Sequence, residues 1–212
     1  MAQKASPYAI RLGYNQTWNN YIFPENKAKQ IEWIKKDKKI RSFFKELFPE
    51  ISKLKIEYTK HDIFFFVHIP NINLALGENN KKMDLIMKNL YQIIEDKKIN
   101  LKVNLIEVKK IYTNAQAIAD TIASQLKKRV HFRLVLRNLL SKVITERENK
   151  GIKIKVKGLI DNSDIAQTKK SLWGKMPLSS IDSNIEVGKS EAVTSRGKIG
   201  IEILLNLGKK IW

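Results

Sequence analysis

The sequence predicts an α+β protein made of two units, a helix–strand–strand–helix–strand unit followed by two helices and a small antiparallel sheet. Three observations carry this. Helical apolar spacing and strand-like alternation replace one another several times along the 212 residues. Glycine and proline cluster at the switches. Between the two patterned halves lies an acid-poor, base-rich helical stretch, Thr121–Arg147, with an apolar stripe that packs inward and a basic side that faces out.

Each element follows from local pattern. Residues 1–24 hold Pro7, Gly13, Asn15, Asn19, Asn20 and Pro24, which break regular structure. Trp18, Tyr21 and Phe23 give this segment apolar anchors, so it reads as an ordered arm that docks on a partner. From Glu25 to Phe48 the period is helical, with Ile31, Ile34, Phe44 and Leu47 as the apolar stripe, and Pro49 stops it. Lys53–Tyr58 alternates as Leu54, Ile56, Tyr58. Asp62–Ile69 contains IFFFVHI, a near-continuous apolar run that reads as a central strand buried on both faces, hairpin-paired with the one before. Ile72–Leu76 leads to Gly77 and the polar loop Glu78-Asn79-Asn80, which opens a helix striped with Met83, Ile86, Met87, Leu90, Ile93 and Ile94. A strand at Leu101–Val108 closes the first unit.

In the second unit Ile118, Ile122 and Leu126 mark one helix. From Phe132 the stripe moves to Phe132, Leu136, Leu139, Leu140 and Val143. At about 100° per residue the two stripes are centred about 90° apart, so one straight helix cannot bury both, and a break is expected near Arg129–His131. Beyond Gly151, IKIKV at Ile152–Val156 reads as a strand with one basic, solvated face. Gly158 and Asp161-Asn162 make a turn, and further strands are expected at Ile165–Lys170, Ile185–Lys189 and Ile199–Leu207. The expected division is an arm at 1–24, a first domain at 25–109 and a second at 110–212.

Charge limits the function. Forty Lys and Arg stand against 21 Asp and Glu, a formal net charge of +19. Such an imbalance repels itself in a compact state until an anionic partner neutralises it, and a polyphosphate chain does so with release of counterions. An AT-rich genome, which favours Lys, Ile and Asn, is the alternative source of part of this bias. No cysteine is present, so disulfides and thiolate metal sites are excluded. His61, His68 and His131 make no metal-ligand spacing, no cofactor is expected, and no apolar run reaches the ~18 residues of a membrane span. The N-terminus has neither a signal-peptide core nor transit-peptide composition, and Met1 reads as the initiator. No nucleophile with a base beside it, phosphate-binding glycine loop or small-molecule site emerges, so no enzyme is expected.

Two features point to nucleic acid. Gly77-Glu78-Asn79-Asn80 sits where a KH domain carries its phosphate-clamping G-x-x-G loop, with Asn80 replacing the second glycine. The same four residues also suit an ordinary helix start capped by Asn79 or Asn80. Arg129, Arg133 and Arg137 are spaced four apart, a ladder suited to successive phosphates, with Leu134 between them expected in the core.

Three blocks then resemble a known family: MAQK…P…IRLG, ADTIASQLKKRVHFR and KGIKIKVKG…A.T…PL…I…SEA…GKIGIEI. Together, end to end and in one order, they resemble bacterial-type small-subunit ribosomal protein number three. The resemblance implies an N-terminal type 2 KH domain and a C-terminal α/β ribosomal domain. It implies binding to small-subunit rRNA and contacts with ribosomal proteins ten and fourteen. It also implies a place beside proteins four and five on the channel through which mRNA enters, where basic residues help unwind the message. By motif matching Arg133 and Arg137 are the implied mRNA-channel residues, with Arg129 joined to them by its spacing, and Gln3, Lys4, Arg11, Lys127 and Lys128 are the candidate rRNA contacts. The sequence departs from the family at Leu134, commonly Arg; at the Gly77 loop, usually G-K-K-G; and at Leu159, Asp161 and Asn162, in place of Arg and paired glycines. Such drift suggests a reduced bacterial genome or an organelle, so the expected location is the small ribosomal subunit of a bacterial cytoplasm, a mitochondrial matrix or a plastid stroma. A free KH-type RNA chaperone and a nucleic-acid endonuclease or lyase are the alternatives.

Overall fold

The computed structural model of the chain describes residues 5–22, 24, 26–48, 51–59, 61–70, 72, 76, 81–95, 99–161 and 163–209. The elements are α1 (Pro7–Arg11), β1 (Asn20–Tyr21), α2 (Lys27–Leu47), β2 (Lys53–Tyr58), β3 (Asp62–Ile69), α3 (Lys81–Ile94), β4 (Asn100–Glu107), a 3-10 turn (Ile111–Thr113), α4 (Ala115–Lys127), α5 (Phe132–Thr145), β5 (Gly151–Gly158), β6 (Gln167–Gly174), β7 (Ser183–Thr194) and β8 (Gly197–Lys209). They form two compact units, Trp18–Lys109 and a discontinuous one made of Met1–Thr17 with Lys110–Trp212.

The Trp18–Lys109 unit is a mixed sheet in the order β1-β2-β3-β4. β2 and β3 form the expected antiparallel hairpin, whereas β1 runs parallel to β2 and β4 parallel to β3. Helices α2 and α3 cover one face. Ile40 and Phe44 of α2 and Ile86, Leu90 and Ile94 of α3 join Ile56, Ile63, Phe65 and Val67 in a single core. Each such fully buried side chain contributes roughly 1.5–3 kcal/mol.

Two expectations fail in this unit. On α2 the inward line runs through Trp33, Asp37, Ile40 and Phe44, while Ile31 and Ile34 are each 56% exposed and Leu47 is 44% exposed. Apolar type alone misplaces the face because an acid sits on it. Asp37 is held there by Asn20 Nδ2 and Arg41 Nε, each at 3.0 Å, and Arg41 Nη2 also donates to Asn20 Oδ1. On β3, burial alternates. Ile63, Phe65, Val67 and Ile69 are buried, and Phe64, Phe66 and His68 are only half-buried. The strand is covered by helices on one face and not on both, and its apolar run is continuous only because two outward positions hold phenylalanines.

The second unit has an antiparallel sheet in the order β6-β5-β8-β7. β6 runs later and longer than the expected Ile165–Lys170, and its Trp173 packs against the core. Helices α4 and α5 bury Ile118, Ile122, Val135 and Leu139 against Ile152, Ile154, Val156, Ile201, Ile203 and Leu205. Helix α4 lies so close to β7 that a Cβ on Gly188 would collide with the Ala115 carbonyl. Its N-terminus is capped by Asn114, whose side chain accepts from the Gln116 and Ala117 N–H groups at 2.9 and 3.2 Å. Asn149 is buried, and its Nδ2 donates to the Val143 and Tyr112 carbonyls at 2.9 and 3.1 Å, tying the end of α5 to the 3-10 turn.

The segment expected as one arm at 1–24 is shared between the units: its described residues 5–17 group with the second, and Asn20–Tyr21 is an edge strand of the first. Pro7 sits at the start of α1, where its fixed φ favours the first turn. The end of that turn delivers Arg11, which is fully buried. Its Nε donates to the Ser183 carbonyl at 2.7 Å and its Nη1 to that of Pro7 at 2.8 Å, while Nη2 reaches the carbonyls of Pro177, Leu178 and Ser180. Asn15 and Gln16 donate to the carbonyls of Ile181 and Ile185. The expected role of Arg11 as an rRNA contact is therefore corrected: its donors are spent on backbone carbonyls of its own unit, and burial pulls its pKa down.

Candidate nucleic-acid interface

The base-rich stretch is two helices, and the joint between them falls where the apolar phase slips. Helix α4 ends at Lys127. Arg129 then takes the left-handed conformation, φ 58°. Its N–H bonds the Leu126 carbonyl at 3.0 Å and the Val130 N–H bonds that of Gln125 at 3.2 Å. This is the Schellman arrangement, which usually places glycine where Arg129 stands. The left-handed backbone costs a non-glycine residue roughly 1 kcal/mol. The result is a sharp reversal that presents Lys127, Lys128 and Arg129 together, all exposed.

Helix α5 has no acidic residue. Its buried line is Phe132, Val135, Leu139 and Val143, with Leu136 and Leu140 partly buried at its edge. Arg133 and Arg137 are four residues apart, both exposed, and among the described residues neither is paired with an acid. They form a two-rung ladder on successive turns. Arg129 is not a third rung, because it precedes the helix, and its Nη2 lies 3.3 Å from Ser195 Oγ in the β7–β8 turn. Leu134 is not core: it is 54% exposed beside Arg133. The ladder therefore carries an apolar gap on its solvent side.

His131 precedes α5 and offers no side-chain cap. Asp161, from the turn after β5, caps the helix instead. Its Oδ1 accepts from the Phe132 N–H at 2.9 Å, its Oδ2 from Lys169 Nζ at 2.7 Å, and His131 Nε2 lies 3.6 Å away. Burial by itself would raise the Asp161 pKa. The Lys169 hydrogen bond, the Phe132 N–H and the charges of Lys169 and His131 outweigh it and hold the carboxyl below its usual value. Asp161 itself is in the left-handed region, φ 53°, which an aspartate tolerates. This capping role was not visible as a site in the sequence. The one available signal is that α5 starts without a capping residue of its own.

Of the remaining expected residues, Gln3, Lys4 and the loop Gly77, Glu78, Asn79 and Asn80 lie outside the described residues. Among the described residues no cluster of His, Asp and Glu could hold a metal, and no helix is long and apolar enough to cross a membrane.

Residues 122–205, from α4 through β8, match the family described as "Ribosomal protein S3, C-terminal domain". The small ribosomal subunit protein uS3 of Spiroplasma citri is 34% identical over 211 residues, covering 99% of this chain and 83% of its own length. The uS3 proteins of Mycoplasma capricolum and Campylobacter lari are each 32% identical over 99% of this chain, covering 90% and 88% of their own lengths. The chain belongs to the uS3 family. This is a family of structural, non-catalytic small-subunit proteins. Within uS3 the matched region includes the α4–α5 joint, both arginine rungs and the Asp161 cap.

Proposed function

We propose that this uS3 protein anchors to small-subunit rRNA in the head of the subunit and lines the channel through which mRNA enters. The observation that carries this reading is the acid-free outer side of α5, with Arg133 and Arg137 exposed on a helix fixed by a buried core. Cations held on a rigid element meet successive phosphates without losing much side-chain freedom. Lys127, Lys128 and Arg129, grouped at the reversal, suit a second phosphate contact, to rRNA or message. Leu134 leaves a gap in the basic set, so the grip on message rests on fewer charges than in relatives with Arg there.

The N-terminal unit is best read as a type 2 KH domain. Its order of helix, hairpin, helix and a last strand parallel to the middle one supports this. Ribosomal proteins ten and fourteen are the proposed neighbours, with four and five at the mRNA channel. The domain division that suits this function keeps 25–109 as the KH domain and 110–212 as the ribosomal domain, with residues 1–17 as part of the latter.

Replacing Arg133 and Arg137 together with Ala is expected to leave the protein bound to the small subunit in moderate salt and to slow ribosomes at structured messages. Sedimentation reads the first and toeprinting through a stable hairpin the second. Unchanged passage through the hairpin would remove the mRNA-channel role. Loss of co-sedimentation in the unsubstituted protein would favour a free RNA chaperone instead.

A further inference from the structure

The face of the N-terminal sheet opposite α2 and α3 carries chemistry that neither the arginine ladder nor the KH reading uses. Pairing registers place Tyr21, Glu57, Phe64 and Lys102 in one cross-strand row and Lys55, Phe66 and Asn104 in the next. Phe64 and Phe66 stand beside each other, their rings nearly parallel at 18° with centroids 6.5 Å apart. Lys102 Nζ lies 5.0 Å from the Phe64 centroid, and Lys55 Nζ lies 5.6 Å from that of Phe66 and 5.0 Å from that of Tyr21. His68 follows Phe66 on the same face, half-buried.

We propose that this face is a stacking platform for the unpaired bases of single-stranded RNA. Half-buried rings on an open sheet face cost solubility and add nothing to the core, whose side of β3 is filled by Ile63, Phe65, Val67 and Ile69. Aromatic rings on a four-stranded sheet with lysines at their margin are what splayed bases recognise: the base stacks and its phosphate meets the ammonium. The lysines cover the rings in the free protein, but an exposed cation–π contact is weaker than base stacking, and a Lys stem swings aside easily. Two acids also face this surface, Glu57 at 2.6 Å from Lys55 and Asp62 at 3.5 Å from Lys102. Both pairs are partly open to water, which weakens their hold on the lysines. Partial burial, and then Lys53 and Lys55, lower the His68 pKa, so its ring is a flat, neutral neighbour to the two phenylalanines. A protein partner fits less well, because an apolar surface laid on the rings would take Lys55 and Lys102, with Glu57 and Asp62 beside them, out of water. This inference does not depend on the α5 reading.

The test uses the full chain and two probes, a fluorescent oligouridylate and an RNA duplex of equal length, read by anisotropy at fixed salt. Phe64→Thr with Phe66→Thr, which keeps strand propensity, is expected to weaken oligouridylate binding roughly tenfold or more and leave duplex binding unchanged. Unchanged oligouridylate affinity, or equal loss on both probes, overturns the proposal. Should the double variant fail to fold, p-benzoylphenylalanine placed at Phe66 in the otherwise unaltered chain decides, by photocrosslinking in the assembled small subunit. RNA crosslinks support the platform, and crosslinks only to protein, or none, overturn it.

Discussion

Each unit of the molecule lays two helices on one face of a four-stranded sheet, and the opposite faces, the second of them partly lined by Ala5–Pro7 and Leu178, differ in kind. In the N-terminal sheet the outward centre is two phenylalanines with lysines leaning over them. In the C-terminal sheet it is a lattice of charge: register places Lys170, Lys155, Glu202 and Lys189 side by side across four strands, with Lys153 and Lys157 on the same face of β5. Directly opposed lysines repel by up to about 1 kcal/mol per pair, and the Lys155–Glu202 contact, at 3.8 Å, offsets little of it. One face suits the flat side of a base and the other a phosphate chain. Two sheets of the same size can thus divide the recognition of one polymer between its two chemical parts.

Perturbing one unit and reading both would sharpen or break this contrast. The largest effect is expected from Arg11→Ala, which leaves several carbonyls without their shared donor and should cost the second unit on the order of 3 kcal/mol. Hydrogen exchange should show lost protection in peptides from 110–209 and none lost in 26–107. Equal loss in both would mean the units are not separate in stability. Next, Lys153→Ala with Lys155→Ala should flatten the dependence of log K on log salt for RNA by about 1.4–1.8, two phosphate contacts' worth. The phenylalanine substitutions should leave that slope alone. A slope unmoved by the lysine changes would deny the charge lattice its role. The smallest effect is expected from Asp161→Asn, which keeps an acceptor for Phe132 but loses the charge at the start of α5, at about 1 kcal/mol near neutral pH. Because the folded pKa is depressed, that contribution is complete above the unfolded value of about 4 and disappears as pH falls through the folded one. Denaturation curves of the two proteins should therefore converge in acid, and a constant gap at all pH values would assign the effect to geometry.

Where period and type agree, the sequence is readable. IKIKV alternates, so the basic outer face of β5 can be seen in five letters, and the phase slip near Arg129 marks the helix break to within a residue or two. IFFFVHI hides its alternation because both faces hold apolar residues; nothing in the letters says that Phe64 and Phe66 point away from the core. Leu134 misleads in the opposite sense, an apolar side chain on a polar side. Arg11 reads as a candidate rRNA contact in the sequence, but its partners are backbone carbonyls, which leave no mark on side-chain identity. Asp161 caps a helix that begins 29 positions before it, and such pairing in trans has no local signature.

The Arg11 clamp also sets an order in time. Residues 5–17 have their place only in a unit completed by residues 110–209, and Ser183, which accepts from Arg11, lies 172 positions later. At roughly 5–20 residues per second of synthesis, that gap is on the order of ten to thirty seconds. The Trp18–Lys109 unit is continuous and can complete itself within that interval. Arg11 thus leaves the ribosome well before the carbonyls that hold it, and during the wait it is an open cation in the presence of other nascent chains and RNA.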